Sequence, residues 1–483
     1  MTRISDAAQA PPPNPLEDCT PWPPPPSDPI PFTPDTGLAV RTRLSAFELP
    51  DDKVGQLRKA YQLLRDLTNN SPNDPRGWLR QANVHCWYCG GEAGTETGAG
   101  PEIHGSWRFL PWHRMYLYFH ERILAQLVGD KTFALPFWDW DTAGRDRLPP
   151  IYADPGTPDN PNPLFDQNRG ATADNRIPPG IVTSDAIGLM LSPTSFEAPG
   201  GFGGTSDGPG ASPGTLENSP HGPVHIWTGD PSMRSPVPDM GVLATAARDP
   251  IFFAHHANVD RFWDVWLNQG GRSNPADSSW ALEQFAFYDQ NDTPQWVAMS
   301  IGDSVDHETS LRYIYNGTPN PASTVTFALA MAQTGGTVDV SPQSRETIKV
   351  PVPPELSQPR PAEIAVPGPP PKPVYVLHIQ GIQVPPDEQT FLRVFLELED
   401  ADARTPITSP NFVGQFAILA MRKPGMGAMP HRAAAHLHNQ AFELNDRQVA
   451  LLRGKQVLSV KLVAVGGRLT KIPYRRAFIA ARR

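Results

Sequence analysis

Six of the thirteen histidines fall into two groups of three, His85/His104/His113 and His221/His225/His256, and each group ends on a segment that a proline opens as a helix. Two sets of three imidazoles suit a pair of metal ions that face each other across one small bridging ligand. Each group ends on a predicted helix, so a shared metal pair would bring helices of this part of the chain together.

The local patterns supply the helices. Val54, Leu57, Tyr61, Leu64 and Leu67 recur at helical spacing and predict a helix over about 51–68. Asp74-Pro75 reads as an N-cap followed by Pro at the first helical position, opening a helix that ends near Gly90-Gly91 with His85 in its last turns. A third amphipathic helix starts around Pro111 and carries His113, His120 and Glu121. Ser219-Pro220 caps a short fourth, and Asp249-Pro250 starts a fifth bearing His255, His256 and Asp260. The stretch 142–216, rich in Gly, Pro, Asn and Asp, reads as irregular surface loops.

Length and composition set the outer limits. At 483 residues two domains are expected. The 58 prolines concentrate in the first 40 residues and between about 316 and 372, where they favour extended chain. Beyond Tyr315, the runs VYVLHIQGIQV, TFLRVFLELE, FVGQFAILAM and VLSVKLVAV are β-rich. The expected architecture is a mainly α unit over 1–316, a four-helix bundle around the metals with long loops and a Pro-rich N-terminal arm. A partly extended linker over 317–372 then leads to an all-β sandwich or barrel over 373–483. A net charge of −9 and a pI near 5.8 argue against a nucleic-acid partner. No apolar run reaches the roughly 18 residues of a membrane span, and the N-terminus lacks the apolar core of a secretion signal. The compartment is left open.

His221 and His225, four residues apart, share a helix face and can hold one metal together. His120 lies seven residues beyond His113, roughly 10 Å along the axis, which reads as a core or supporting histidine. His255 and His256 point about 100° apart, and spacing does not choose between them. Asp260 is placed to accept from a ligand imidazole or to pair with Arg261. His307, His378, His431, His436 and His438 read as surface or loop residues. Neutral imidazoles without carboxylate or thiolate ligands suit copper or zinc, and copper binds more tightly. A two-zinc hydrolase would normally add bridging carboxylates, so two copper ions per chain are expected, with coordination left for O2. Cys86 and Cys89 look like half of a zinc site with no second pair to complete it, and three cysteines leave one sulfur outside any disulfide.

At HGSWRFLPWHRMYLYFHE (104–121) and DPIFFAHHANVD (249–260) the sequence resembles the tyrosinase and polyphenol oxidase family of type-3 copper proteins, catechol oxidases included, over about residues 18–316. The resemblance implies His85, His104 and His113 on one copper and His221, His225 and His256 on the other. HCWYC is similar to the HCxxC of plant members, which implies a Cys89–His104 thioether and a Cys19–Cys86 disulfide. Glu217 matches the acidic position that orients a water for substrate deprotonation, and Tyr313-Ile-Tyr315 resembles the motif that closes the catalytic domain. The C-terminal β-runs resemble the plant shielding domain. Gly222, Ile226 and Leu243 are implied at the substrate pocket; Gly222 stands where efficient monophenol hydroxylases often carry Asn, and Leu243 where plant members often place Phe. The implied activity is oxidation of o-diphenols to o-quinones by O2, two catechols per O2, latent until the C-terminal domain is displaced. A tyrosinase with monophenol hydroxylase activity and a hemocyanin-like oxygen-binding protein are the alternatives.

Overall fold

The computed structural model describes residues 29–89, 102–206, 210–290, 294–318, 333–353, 356, 374–385, 387–421 and 437–482. Its N-terminal part is built on α1 (Asp51–Asn70), α2 (Trp78–Tyr88), α3 (Phe109–Val128), α4 (Gly222–Gly229) and α5 (Ile251–Leu267). On α1, Leu57, Ala60, Tyr61 and Leu64 turn one face inward, as their spacing demands. In α3 every residue from Phe109 to Glu121 is buried, so this helix runs through the interior. It stops at Gly129, whose φ of +72° a side chain would resist.

Buried charges clamp α3 to α5. Arg114 donates to Asp260 Oδ1 at 2.6 Å and to Asp264 at 3.1 Å. Asp260 Oδ2 accepts from the hydroxyls of Tyr313 and Tyr315, each at 2.6 Å. Those tyrosines lie on β2 (Tyr313–Tyr315), which pairs in parallel with β1 (Arg41–Arg43). Arg43 lies 3.7 Å over the Tyr313 ring and donates to Glu121 at 2.9 Å. The expected Asp260–Arg261 pair does not form. Neighbours on a helix point apart, so Asp260 faces inward while Arg261 reaches Asp141 at 3.0 Å.

Three helix starts differ from expectation. α2 begins at Trp78, because Asp74 closes a turn by accepting from the Arg76 backbone N–H at 2.9 Å and pairing with its guanidinium. α3 begins at Phe109, which places Pro111 inside the first turn, where its missing N–H costs nothing. Ser219 is extended and caps no helix; the Ser219–Pro220 peptide is cis, and a single wide turn over Glu217–His221 leads into α4. Asp249 behaves as expected, accepting from the Ile251 N–H at 3.0 Å. The stretch 142–206 holds only short elements.

The C-terminal part is a sandwich of two antiparallel four-stranded sheets. One is ordered β8 (Leu437–Leu444), β5 (Val374–Gln383), β10 (Lys471–Arg482), β3 (Gln333–Asp339). The other is ordered β7 (Phe412–Ile418), β6 (Thr390–Leu396), β9 (Val457–Gly467), β4 (Ile348–Pro351). Leu377, Ile379 and Ile479 of the first sheet meet Leu392, Val394 and Phe416 of the second in one core. Within the stretch expected to be linker, β3 and β4 thus complete these sheets, pairing with β10 and β9. His378 is buried in β5, not a surface residue; strand alternation puts it on the face opposite to Leu377 and Ile379, where it stacks on Phe478 at 4.5 Å. His431 and His436 lie outside the described residues. No helix among the described residues is long and apolar enough to cross a membrane.

Candidate metal centre

Four segments deliver the histidines to one place. His85 sits in the last turn of α2, His104 on the loop before α3, and His113 in the second turn of α3. The turn into α4 supplies His221, α4 itself His225, and α5 both His255 and His256. One ring nitrogen from each of His221, His225, His255 and His256 falls within 4.8 Å of the others. His85 and His104 make a similar group with the Cys89 sulfur. His113 joins the two groups: its ring centre is 5.5 Å from His85 and 5.4 Å from His104, and it stacks on His256 at 4.2 Å. Phe252 packs under both groups, 4.9 Å from His85 and 4.2 Å from His256.

The hydrogen bonds orient these rings for metal binding. His113 Nδ1 donates to the Phe109 carbonyl at 2.7 Å, His221 Nδ1 to Glu217 O at 3.2 Å, and His225 Nδ1 to Met240 O at 3.0 Å. Such bonds place the proton on Nδ1 and leave Nε2 as the donor to a metal. His104 Nδ1 is 2.9 Å from the Glu102 carboxylate. His104 Nε2 and His113 Nε2 are then buried without a hydrogen-bond partner, while His225 Nε2 and His256 Nε2 face each other at 3.1 Å. Each open buried nitrogen costs roughly 1–3 kcal/mol, which a bound ion removes. Burial also pushes the imidazoles of His85, His113, His221, His255 and His256 well below their ordinary range, and that of His225 down to about 3. All are neutral, as nitrogen ligands must be. This donor set, rich in imidazole and poor in carboxylate, fits a pair of copper ions.

His255 also reaches the centre, although the resemblance implies only His256 as a ligand. Its ring stacks on His221 at 5.5 Å, its Nδ1 accepts from the Trp140 indole at 3.2 Å, and its Nε2 is buried without a partner. His256, not His255, faces the other group. His120 stays apart, stacked on Phe253 at 3.6 Å and 3.3 Å from the Tyr61 hydroxyl. His307, half-buried, bonds Asp264 at 2.7 Å and belongs to the clamp between α3 and α5.

Glu217 is half-buried, with its carboxylate turned inward. Its Oε1 accepts from the Gly105 N–H at 2.7 Å, its Oε2 has no partner, and burial pushes its carboxyl up to about 8. Cys89 is a buried thiol 3.7 Å from His104 Nδ1 and 3.5 Å from His85 Nδ1. Cys86 packs with Val242 and Ala244, and Cys19 lies outside the described residues.

The sandwich packs against Leu243, Ser219 and Gly222, close to the second histidine group. The Leu243 N–H donates to Ala420 O at 3.0 Å, and Gln415 donates to Ser219 Oγ at 2.9 Å. Ala417 and Leu419 sit on Gly222, while Ile226, one turn on, is enclosed in the core. Sequence reading missed Ala417, Leu419 and Ala420, which no local signal marks, and Glu102, whose place two residues before His104 was a usable one.

Comparison with known proteins places this geometry. Residues 75–177 and 190–269 match the common central domain of tyrosinase, and 274–325 match the polyphenol oxidase middle domain. A latent-form polyphenol oxidase of Prunus armeniaca is 38% identical over 311 residues, 59% of this chain and 50% of that protein. Polyphenol oxidase II of Ipomoea batatas is 32% identical over 420 residues, 80% of this chain and 68% of that protein. The structure of latent apple tyrosinase superposes with a TM-score of 0.72 at 27% identity, over 94% of this chain and 100% of that one. The chain spans about half the length of several of the curated relatives it matches. With a tyrosinase-type central domain, clustered histidines and a C-terminal β-sandwich, the chain belongs to the plant polyphenol oxidase and tyrosinase family of type-3 copper proteins.

Proposed function

We propose that the protein is a latent o-diphenol oxidase. His85, His104 and His113 hold one copper, and His221, His225 and His256 the other. When bound, the two coppers pass electrons from the phenol to O2. The observation that carries this reading is the convergence of buried, neutral imidazoles with open nitrogens beside one inward-turned carboxylate.

The chain's own residues do the rest. Glu217, whose ionised form the copper cations would favour, takes the phenolic proton through a water at its unpartnered Oε2, while the Gly105 N–H fixes its other oxygen. Phe252 and Phe109 pack around the rings and exclude bulk water. A thioether from Cys89 to His104 would restrain the one ligand that lies on a loop, and the closeness of sulfur and ring supports it. A Cys19–Cys86 bridge is supported by Cys86 standing in disulfide form while Cys89 keeps its thiol. Gly222 offers no side chain to hold the water, so catechols are favoured over monophenols as substrates.

Residues 1–316 form the catalytic unit in this reading, and the shielding unit begins at β3. Its seating across Leu243 and Gly222 supports latency. Oxygen uptake with catechol and with a monophenol, before and after limited proteolysis of the copper-loaded chain, tests the proposal. Catechol-dependent uptake that rises on proteolysis supports it. Reversible oxygen binding without turnover in both states contradicts it, as does hydroxylation of the monophenol at a comparable rate.

A further inference from the structure

Gly222 acts on the pocket through what it lacks. A Cβ at this position would lie 2.8 Å from Ala417 Cβ and 3.5 Å from Leu419 Cδ1. Carbon atoms favour about 3.5–4.0 Å, so the first contact is forbidden unless the strand retreats. Retreat is resisted on both sides. Gln415 donates to Gly180 O at 2.7 Å and to Ser219 Oγ at 2.9 Å, and Ala420 O accepts from the Leu243 N–H at 3.0 Å. The strand is thus pinned before and after Ala417.

We propose that the pair at 222 and 417 sets whether the sandwich can close the pocket: a side chain at 222 and a seated β7 exclude each other. The inference rests on the oxidase reading for its consequence, access of substrate, but not for its geometry. A rival reason for glycine exists. Residue 222 is helical (φ −59°, ψ −47°) and precedes Pro223, a position where a Cβ is disfavoured whether or not the sandwich is seated.

The test approaches the contact from both sides in the full-length chain. Gly222→Ala adds a methyl group to the helix. Ala417→Val adds bulk from the strand, where β-branched residues are well tolerated, and leaves Gly222-Pro223 untouched. Gly222→Ala with Ala417→Gly removes the clash. Hydrogen exchange at the Leu243 amide reads seating directly, without copper, and catechol oxidation without proteolysis reads its consequence. Each single variant is expected to speed Leu243 exchange roughly tenfold or more and to raise the unproteolysed activity, with the double variant returning both towards the parent. Unchanged exchange in Ala417→Val overturns the proposal. So does a Gly222→Ala effect that Ala417→Gly fails to reverse, because it assigns the glycine to Pro223 alone. Exchange that follows the expected pattern in a protein that oxidises no diphenol even after proteolysis upholds the seating and sinks the oxidase reading instead.

Discussion

The imidazoles of His113 and His256 stack face to face, 4.2 Å between centres and 8° from parallel, and so join the two histidine groups. Each ring comes from a different helix, α3 or α5, and the Arg114–Asp260 ion pair at 2.6 Å fixes those helices against each other. The separation of the two histidine groups is therefore set by helix packing and not by a loop.

Asp260→Asn should accordingly cost far more than a surface change. It leaves Arg114 and Arg43 buried beside a neutral amide, a loss of about 3–5 kcal/mol in unfolding free energy. Denaturant unfolding checks this, and copper content should fall with it because α5 is no longer held. Glu399→Gln, which breaks the exposed pair with Lys349, should leave the unfolding free energy nearly unchanged.

Glu217→Gln separates chemistry from stability. With its carboxyl pushed up to about 8 from 4.5, the folded metal-free protein keeps the proton that the unfolded chain gives up. The parent's stability is thus intact below 4.5, falls as pH climbs from there to about 8, and levels off above. The Gln variant lacks this loss, so metal-free Gln protein should gain on the parent across that window, by a few kcal/mol at most. Its kcat should nevertheless drop about 10²–10⁴-fold if Glu217 is the base. Melting curves against pH and steady-state rates read the two effects independently.

Chelation of copper should lower the melting temperature, since ions that bind only the folded state stabilise it by mass action. Re-addition of copper should restore it. The shift should shrink in His256→Ala, which retains the first group but opens the second.

Intact mass decides the sulfur chemistry. A thioether and a disulfide each remove two hydrogens, and only the disulfide yields to reductant. The reduced parent should stay two hydrogens below the sequence mass, and Cys89→Ser should abolish that deficit.

The centre was largely legible because its constraints are local. His221 and His225 at helical spacing, and the long motifs around His113 and His256, mark their own helices. The C-terminal sandwich was also legible from alternating apolar runs, except that β3 and β4 hide in Pro- and Gly-rich surroundings and are strands only through pairing with β10 and β9. Asp260 was misread because its partners, Arg43, Arg114, Tyr313 and Tyr315, are remote in sequence. The seating of Ala417 on Gly222 joins residues nearly two hundred positions apart, and nothing in either neighbourhood announces it.

Copper analysis of the fully loaded chain, combined with metal content of the His113→Ala and His256→Ala variants, addresses the dicopper assignment most directly. Two coppers per chain in the parent and one in each variant is the expected result. A single copper in the parent, or two retained in both variants, would contradict it.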